Sequence, residues 1–236
     1  MNRTAVVTGG SSGVGRATAI RLAKEGWRVA IVGTRQDALN ETIKLSGKPD
    51  QMLAAPCDIG DGDAVSAMAK RVTDKFGPVE LLVAAAGTNI PNRSLEKLSH
   101  DDYRKVIDVN LHGVFHCVQG FLPDMRKNKR GTIIVVNSLA GLRASALSGV
   151  PYSASKFAAA GLVQSINAEE NKNGIRATSV FPGDINTPLL DKRPNPPAKE
   201  LRVNMLQPDD VTDCVMLAVN LPERVVVEEL VVRPRG

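Results

Sequence analysis

Aromatic side chains are scarce: Phe, Trp and Tyr make up 3 % of the 236 residues. A surface that stacks bases or sugars needs such rings in number, so none is expected. Cysteines are few and odd in number (Cys57, Cys117 and Cys214), with no CxxC spacing. A disulfide framework and a metal site are therefore not expected, and reduced thiols in a cytoplasmic protein are the simplest account. Long apolar runs are missing as well. The first, Ala5-Val6-Val7, is too short for a signal peptide and leads straight into glycines. No run approaches the roughly 18 apolar residues of a membrane span, so no membrane partner is expected. Blocks of like charge are also absent. The formal net charge is +5 and the pI about 9.2. The basic residues are scattered, which suits an anionic ligand but argues against a nucleic-acid partner.

What remains is ordinary globular material, 43 % hydrophobic and 23 % charged. Short β-branched runs alternate with helical patterns. Strands are predicted at Thr4–Thr8, Arg28–Gly33, Gln51–Ala55, Val79–Ala84, Thr132–Asn137, Ile175–Phe181 and Val225–Val232. Several are continuous apolar runs, as in strands buried on both faces of a parallel sheet. Between them lie amphipathic segments at 63–76, 101–118, 153–171 and 208–219, with Asp209 or Asp210 in the first turn of the last. Asn110 is a polar residue on the apolar stripe of 101–118. The expected fold is α/β: a doubly wound, seven-stranded, mainly parallel Rossmann sheet with helices on both faces. No linker or repeat divides it, so one domain over 1–236 is expected, with a proline-rich loop or lid around 188–207.

The first strand runs into Thr8-Gly9-Gly10-Ser11-Ser12-Gly13-Val14-Gly15 and then a helical pattern. Glycines let the backbone approach a ligand, and N–H groups opening the helix face a pyrophosphate. A glycine-rich turn can also be a plain βα connection, but a strand before it and a helix after it favour a dinucleotide. It does not end in Gly-Lys-Ser/Thr, so it is not a P-loop. The second strand ends Val32-Gly33-Thr34-Arg35. The acidic residue that binds ribose hydroxyls in NAD sites is replaced by Gly33. Arg35, aided by Thr34 and Ser12, can pair with a 2′-phosphate, which favours NADP. The competing account of Arg35 is a solvated loop residue. Asp37 is read as a helix cap and keeps NAD open.

Tyr152-Ser153-Ala154-Ser155-Lys156 opens a helix, and its i, i+4 spacing puts phenol and ammonium on one face. A lysine cation beside a tyrosine lowers the phenol pKa toward useful acid–base chemistry. Ser138 ends a strand, on the side where open α/β sheets bind ligands.

Together these residues resemble the short-chain dehydrogenase/reductase family over nearly the whole chain. The resemblance rests on Thr8-Gly9-(x)3-Gly13-Val14-Gly15, Asp58-Ile59, Ala84-Ala85-Ala86-Gly87, Asn110, Ser138, Tyr152-(x)3-Lys156 and Phe181-Pro182-Gly183-(x)3-Thr187. It implies an oxidoreductase interconverting a carbonyl and an alcohol with NADP, or NAD, as cofactor. Tyr152 would be the acid–base residue. Lys156 would bind ribose and lower the tyrosine pKa, Ser138 would position the carbonyl, and Asn110 would hold a relay water. Gly9, Ser11, Ser12, Gly13, Val14 and Gly15 would meet the phosphates, and Asp58 and Ile59 the adenine. Ala86 and Gly87 would line the ribose side, with Pro182, Gly183, Ile185 and Thr187 over the nicotinamide. Ala84 and Ala85 stand where the family usually has asparagines, which puts local sheet stability in question. The alternative is a non-catalytic NADP(H)-binding regulatory protein of the same fold, disfavoured by the complete set of four chemical residues. A homotetramer or homodimer is implied through the helices near 101–118 and 153–171. The implied substrate is a small ketone or aldehyde, or a hydroxy or oxo acid. Lys192, Arg193 or Arg143 could bind an acidic one, although solvated loop cations are the favoured account. The C-terminal tail is expected to touch substrate little.

Overall fold

The computed structural model describes residues 3–235. Seven strands, β1 (Thr4–Thr8), β2 (Arg28–Gly33), β3 (Met52–Pro56), β4 (Leu81–Ala84), β5 (Gly131–Val136), β6 (Ile175–Pro182) and β7 (Glu229–Val232), form one sheet. Its order is β3-β2-β1-β4-β5-β6-β7, and every pair is parallel. The strand order reverses between β1 and β4, so the crevice of this doubly wound sheet opens there, beyond the strand carboxyl ends.

The apolar runs alternate between two cores, as a period of two requires. Val6, Leu82, Ile133 and Val135 pack against α3 (Gly62–Phe76), α5 (Gly113–Asn128) and α6 (Val150–Glu170) on one face. Val7, Leu81, Val83 and Ile134 pack against α1 (Gly13–Lys24) and α7 (Pro208–Asn220) on the other. Central strands such as β1 are buried along their whole length. That explains why they read as unbroken β-branched runs.

Three boundaries differ from the sequence reading. The stretch 101–118 is not one helix. It is α4 (His100–Ile107), a π turn over Asp108–His112, and the start of α5. Strand β7 begins at Glu229 rather than Val225. The guanidinium of buried Arg176 holds the carbonyls of Pro222 and Val225 at 2.8 and 2.7 Å, so the chain there is tied to that side chain rather than to the sheet ladder. The helix α2 (Gln36–Ser46) is capped by Arg35, without a side-chain cap bond. Asp37 is therefore not its cap: it sits in the first turn and is exposed. The proline-rich stretch is irregular as expected, with short 3₁₀ turns at Pro188–Lys192 and Lys199–Asn204. No helix among the described residues is long and apolar enough to cross a membrane.

Candidate active site

Two cavities open at the carboxyl edge of the sheet. The inner one, about 360 Å³, is lined by the β1–α1 turn and the ends of β2 and β4. The outer one, about 510 Å³, lies between the β5–α6 connection, the segment after β6 and the C-terminal tail. Asn137, Tyr152, Ile185, Thr187 and Leu189 line both, so Tyr152 stands on their shared border.

The inner cavity is built largely of backbone. Gly9 has φ +69°, and a Cβ there would lie 2.9 Å from the Ala85 carbonyl oxygen. A Cβ on Gly15 would come within 2.4 Å of the Gly9 carbonyl oxygen, so the turn closes this tightly only with glycine. Ser12 precedes α1 but makes no side-chain cap bond, leaving the first N–H groups of that helix pointed at the cavity. This cradle fits a dinucleotide pyrophosphate on chemical grounds. Ser11, Ser12, Gly13, Val14, Thr34, Asp58, Ile59, Ala86 and Gly87 all line it. Arg35 does not; it is exposed just outside, after Thr34. Pro182 and Gly183 fall on the outer cavity instead. The asparagines missing at 84 and 85 are offset locally: Thr8 Oγ1 accepts from the Ala86 N–H (3.0 Å), tying the exits of β1 and β4 together.

The four chemical residues converge but are used differently. Helix α6 carries Tyr152 in its first turn, and Lys156 Nζ lies 5.7 Å from the tyrosine ring centroid. Lys156 is buried and donates to the Val136 carbonyl (3.0 Å). Ser138 Oγ accepts from the Ala140 N–H (3.1 Å) and its hydroxyl hydrogen-bonds the Tyr152 side chain. Asn110 lies on the π turn and lines neither cavity. Its Oδ1 accepts from the Thr88 N–H (2.8 Å), while Nδ2 donates to the Thr88 carbonyl (3.0 Å) and to Ser155 Oγ (3.1 Å). Ser155 Oγ in turn donates to the Tyr152 carbonyl (2.8 Å). The asparagine side chain thus clamps the β4 exit onto α6. A π turn shifts the helix register, and this one carries Asn110 at its centre, fully buried.

The electrostatics differ from the expectation for Lys156. Burial pushes the Tyr152 phenol above its ordinary value; the Ser138 hydrogen bond and the charges of Arg193 and Arg93 pull it back, and Asp184 raises it. Burial also lowers Lys156 itself, to about 8.

Several site residues carried no signal in the sequence. Arg93, after β4, is buried and donates to the carbonyls of Ile90 (2.7 Å), Leu147 (3.0 Å) and Lys192 (2.6 Å). Asn137 donates to the Lys156 carbonyl (3.1 Å), while its buried Oδ1 has no partner among the described residues. Arg233 and Pro234 of the tail line the outer cavity, so the tail does reach the site. Of the three loop cations, Arg143 and Arg193 line that cavity. Lys192 does not, its Nζ donating instead to Thr88 Oγ1 (2.8 Å). No cluster of metal-ligating side chains occurs among the described residues.

The model of the short chain dehydrogenase family matches residues 3–197. A glycine betaine reductase of Emericella nidulans is 33 % identical over 99 % of this chain, which spans only 19 % of that relative's length. The hydroxy(phenyl)methylsuccinyl-CoA dehydrogenase subunit BbsD of Thauera aromatica is 33 % identical over 91 % of this chain and 88 % of its own. Among solved structures, an alcohol dehydrogenase from the archaeon Thermococcus sibiricus, complexed with 5-hydroxy-NADP, superposes with a TM-score of 0.86. It is 29 % identical, covering 100 % of this chain and 97 % of its own. Sequence model, relatives and fold agree, and the chain belongs to the short chain dehydrogenase family of oxidoreductases.

Proposed function

We propose that the chain, acting as one dinucleotide-binding and catalytic domain, interconverts a carbonyl and an alcohol. The substrate class is a small ketone or aldehyde, or a hydroxy or oxo acid. The observation that carries this is Tyr152 on the border of the two cavities, bonded to Ser138 and beside Lys156.

When bound in the inner cavity, a nicotinamide dinucleotide supplies or accepts the hydride. The protein's own groups handle the oxygen. Ser138 donates to the substrate carbonyl and holds it against the phenol. Tyr152, kept protonated by burial, delivers the proton to that oxygen in reduction and takes it back in oxidation. Lys156 sits on the inner side of the phenol, where its ammonium can bind ribose hydroxyls. Asn110 positions Tyr152 by fixing Ser155 and the first turn of α6. The segment 188–207 serves as the lid, held by the Arg93 bond to the Lys192 carbonyl and by Lys192 Nζ on Thr88.

NADP is the preferred cofactor. Gly33 offers no carboxylate to a ribose, Thr34 lines the cavity, and Arg35, exposed, follows Thr34 in the chain. Asp37, set back in the first turn of α2, lines no part of the cavity. The same reading has the protein work in the cytoplasm, in keeping with its three free cysteines. It also has the protein assemble as a homodimer or homotetramer through α5 and α6, where Phe115 and Phe157 are left partly exposed.

The test combines binding and turnover. NADPH fluorescence titration should show binding tighter than NADH. Tyr152→Phe should lower kcat by about 10²- to 10⁴-fold with the NADPH Kd unchanged. A variant that kept the wild-type rate would remove the acid–base role.

A further inference from the structure

The outer cavity carries an unusual balance of charge. Four guanidinium groups line it, those of Arg93, Arg143, Arg193 and Arg233, against the single carboxylate of Asp184. Asp184 is already engaged: its Oδ1 and Oδ2 accept from Arg193 at 2.5 and 3.3 Å. Arg93 is bonded only to backbone carbonyls, so its charge is not neutralised by any of the groups that hold it. Arg143 and Arg233 have no ion-pair partner among the described residues. They approach from two separate connections, Arg143 between β5 and α6 and Arg233 just after β7. Ser138 and Tyr152 line the same cavity.

A walled cavity that is three charges positive focuses its field on whatever occupies it. Guanidinium forks that are not already paired suit a carboxylate, which accepts two parallel N–H bonds. We propose that the substrate is a small oxo acid or its hydroxy-acid product. Its carbonyl end lies at Ser138 and Tyr152, and its carboxylate between Arg143 and Arg233. This rests on the carbonyl–alcohol reading above and narrows it. Arg93, buried and bonded only to backbone carbonyls, sets the field, while Arg193, neutralised by Asp184, holds the wall. Arg143 and Arg233 supply the donors.

The test compares four- to six-carbon oxo acids with their methyl esters, which keep the ketone and lose the charge. With the full chain and NADPH, the acid should exceed the ester in kcat/KM by about 10- to 100-fold, and the advantage should shrink at high salt. In Arg143→Gln and Arg233→Gln, the loss for the acid should exceed the loss for the ester by about tenfold. That loss should reside in KM, with NADPH affinity retained. An ester turned over as well as the acid, or equal losses for both, would overturn the assignment.

A second measurement is independent of turnover. Calorimetric titration of the protein–NADP⁺ complex with an unreactive carboxylate of the same length should show binding, weakened about tenfold in either variant. Absence of that binding overturns the anionic substrate even if neutral ketones are reduced. Carboxylate binding with no turnover of acid, ester or ketone keeps the anion site and overturns the oxidoreductase reading instead.

Discussion

The inner and outer cavities meet at Tyr152 but are built from different material. The inner one is a backbone object: a glycine turn, the open end of α1, and the exits of parallel strands. Most of its residues come in short contiguous runs, because the exits of four neighbouring parallel strands, β1 to β4, place them together. The outer one is a side-chain object. Arg93, Arg143, Arg193 and Arg233 span 140 positions and come from four connections. Backbone recognition of a constant ligand leaves a motif. Side-chain recognition of a particular ligand leaves only scattered residues whose meaning depends on the fold. Substitutions that act on one cavity and spare the other test this division.

The largest effect expected is at the turn itself. Gly15→Val places a branched side chain where even a Cβ would lie 2.4 Å from the Gly9 carbonyl oxygen, so the turn must open. Several phosphate-facing N–H groups then lose alignment together. At about 1.5–3 kcal/mol per charge-assisted bond, losing two or more weakens NADPH by at least about 10²-fold. Fluorescence titration measures this directly, with circular dichroism to confirm that the sheet is retained. The carboxylate affinity of the outer cavity, read by calorimetry on the cofactor-free variant, should fall far less. If both affinities collapsed equally, the cavities would not be separable units.

Much of this was legible before any coordinates. Buried parallel strands leave continuous β-branched runs, so six of the seven strands lie within two residues of their predicted bounds at both ends. The glycine turn and Tyr152-(x)3-Lys156 are contiguous, and their spacing alone puts them on the right faces. What could not be read were features set by tertiary context. Apolar spacing continues through Asp108–His112, so nothing local announced the π turn that Asn110 occupies. Arg176 decides where β7 begins, from 46 and 49 residues away. Lys156 next to Tyr152 suggested a lowered phenol pKa, but burial leads the causes on both groups, raising the phenol and lowering the ammonium. Arg93 and Arg233 lie in no motif; only the closed fold turns them toward the site.

A smaller effect, confined to the inner cavity, is expected at the end of β2. Arg35→Gln should cost NADPH about 1.5–3 kcal/mol and leave NADH nearly unchanged, since only the former carries a 2′-phosphate. Parallel titrations with both nucleotides decide it. Equal losses would return Arg35 to the solvent and reopen NAD as the cofactor.

The outer cavity has a counterpart that reads electrostatics without turnover. Arg193 lowers the Tyr152 phenol pKa, against burial and Asp184. Arg193→Gln should therefore raise that pKa further, seen as a later rise of phenolate absorbance in a spectrophotometric titration. Tyr152→Phe identifies which transition belongs to this residue. The sign follows from charge: removing a cation disfavours the phenolate. A fall in pKa would mean that the paired Asp184, released by the substitution, does not face the phenol.

The smallest effect separates scaffold from site. Glu170 ends the helix whose first turn carries Tyr152. It is buried, and its carboxylate pairs with Arg126 and accepts from Asn173 (2.9 Å). The Arg126 hydrogen bond leads the causes that hold its pKa at about 2, below the ordinary 4.5. A depressed carboxylate contributes stability that is fully present above pH 4.5 and is lost as the pH falls toward about 2, because the unfolded chain takes up the proton first. Arg126 is half exposed, so solvent screens much of the attraction. Glu170→Gln should then lower Tm by only about 2–4 °C at neutral pH. The gap between wild type and variant should close between pH 4.5 and 2, while NADPH and carboxylate affinities stay as they were. A gap that persisted at pH 2 would assign the loss to packing at the end of α6 rather than to charge. A change in either affinity would show that the far end of this helix is coupled to the tyrosine at its start.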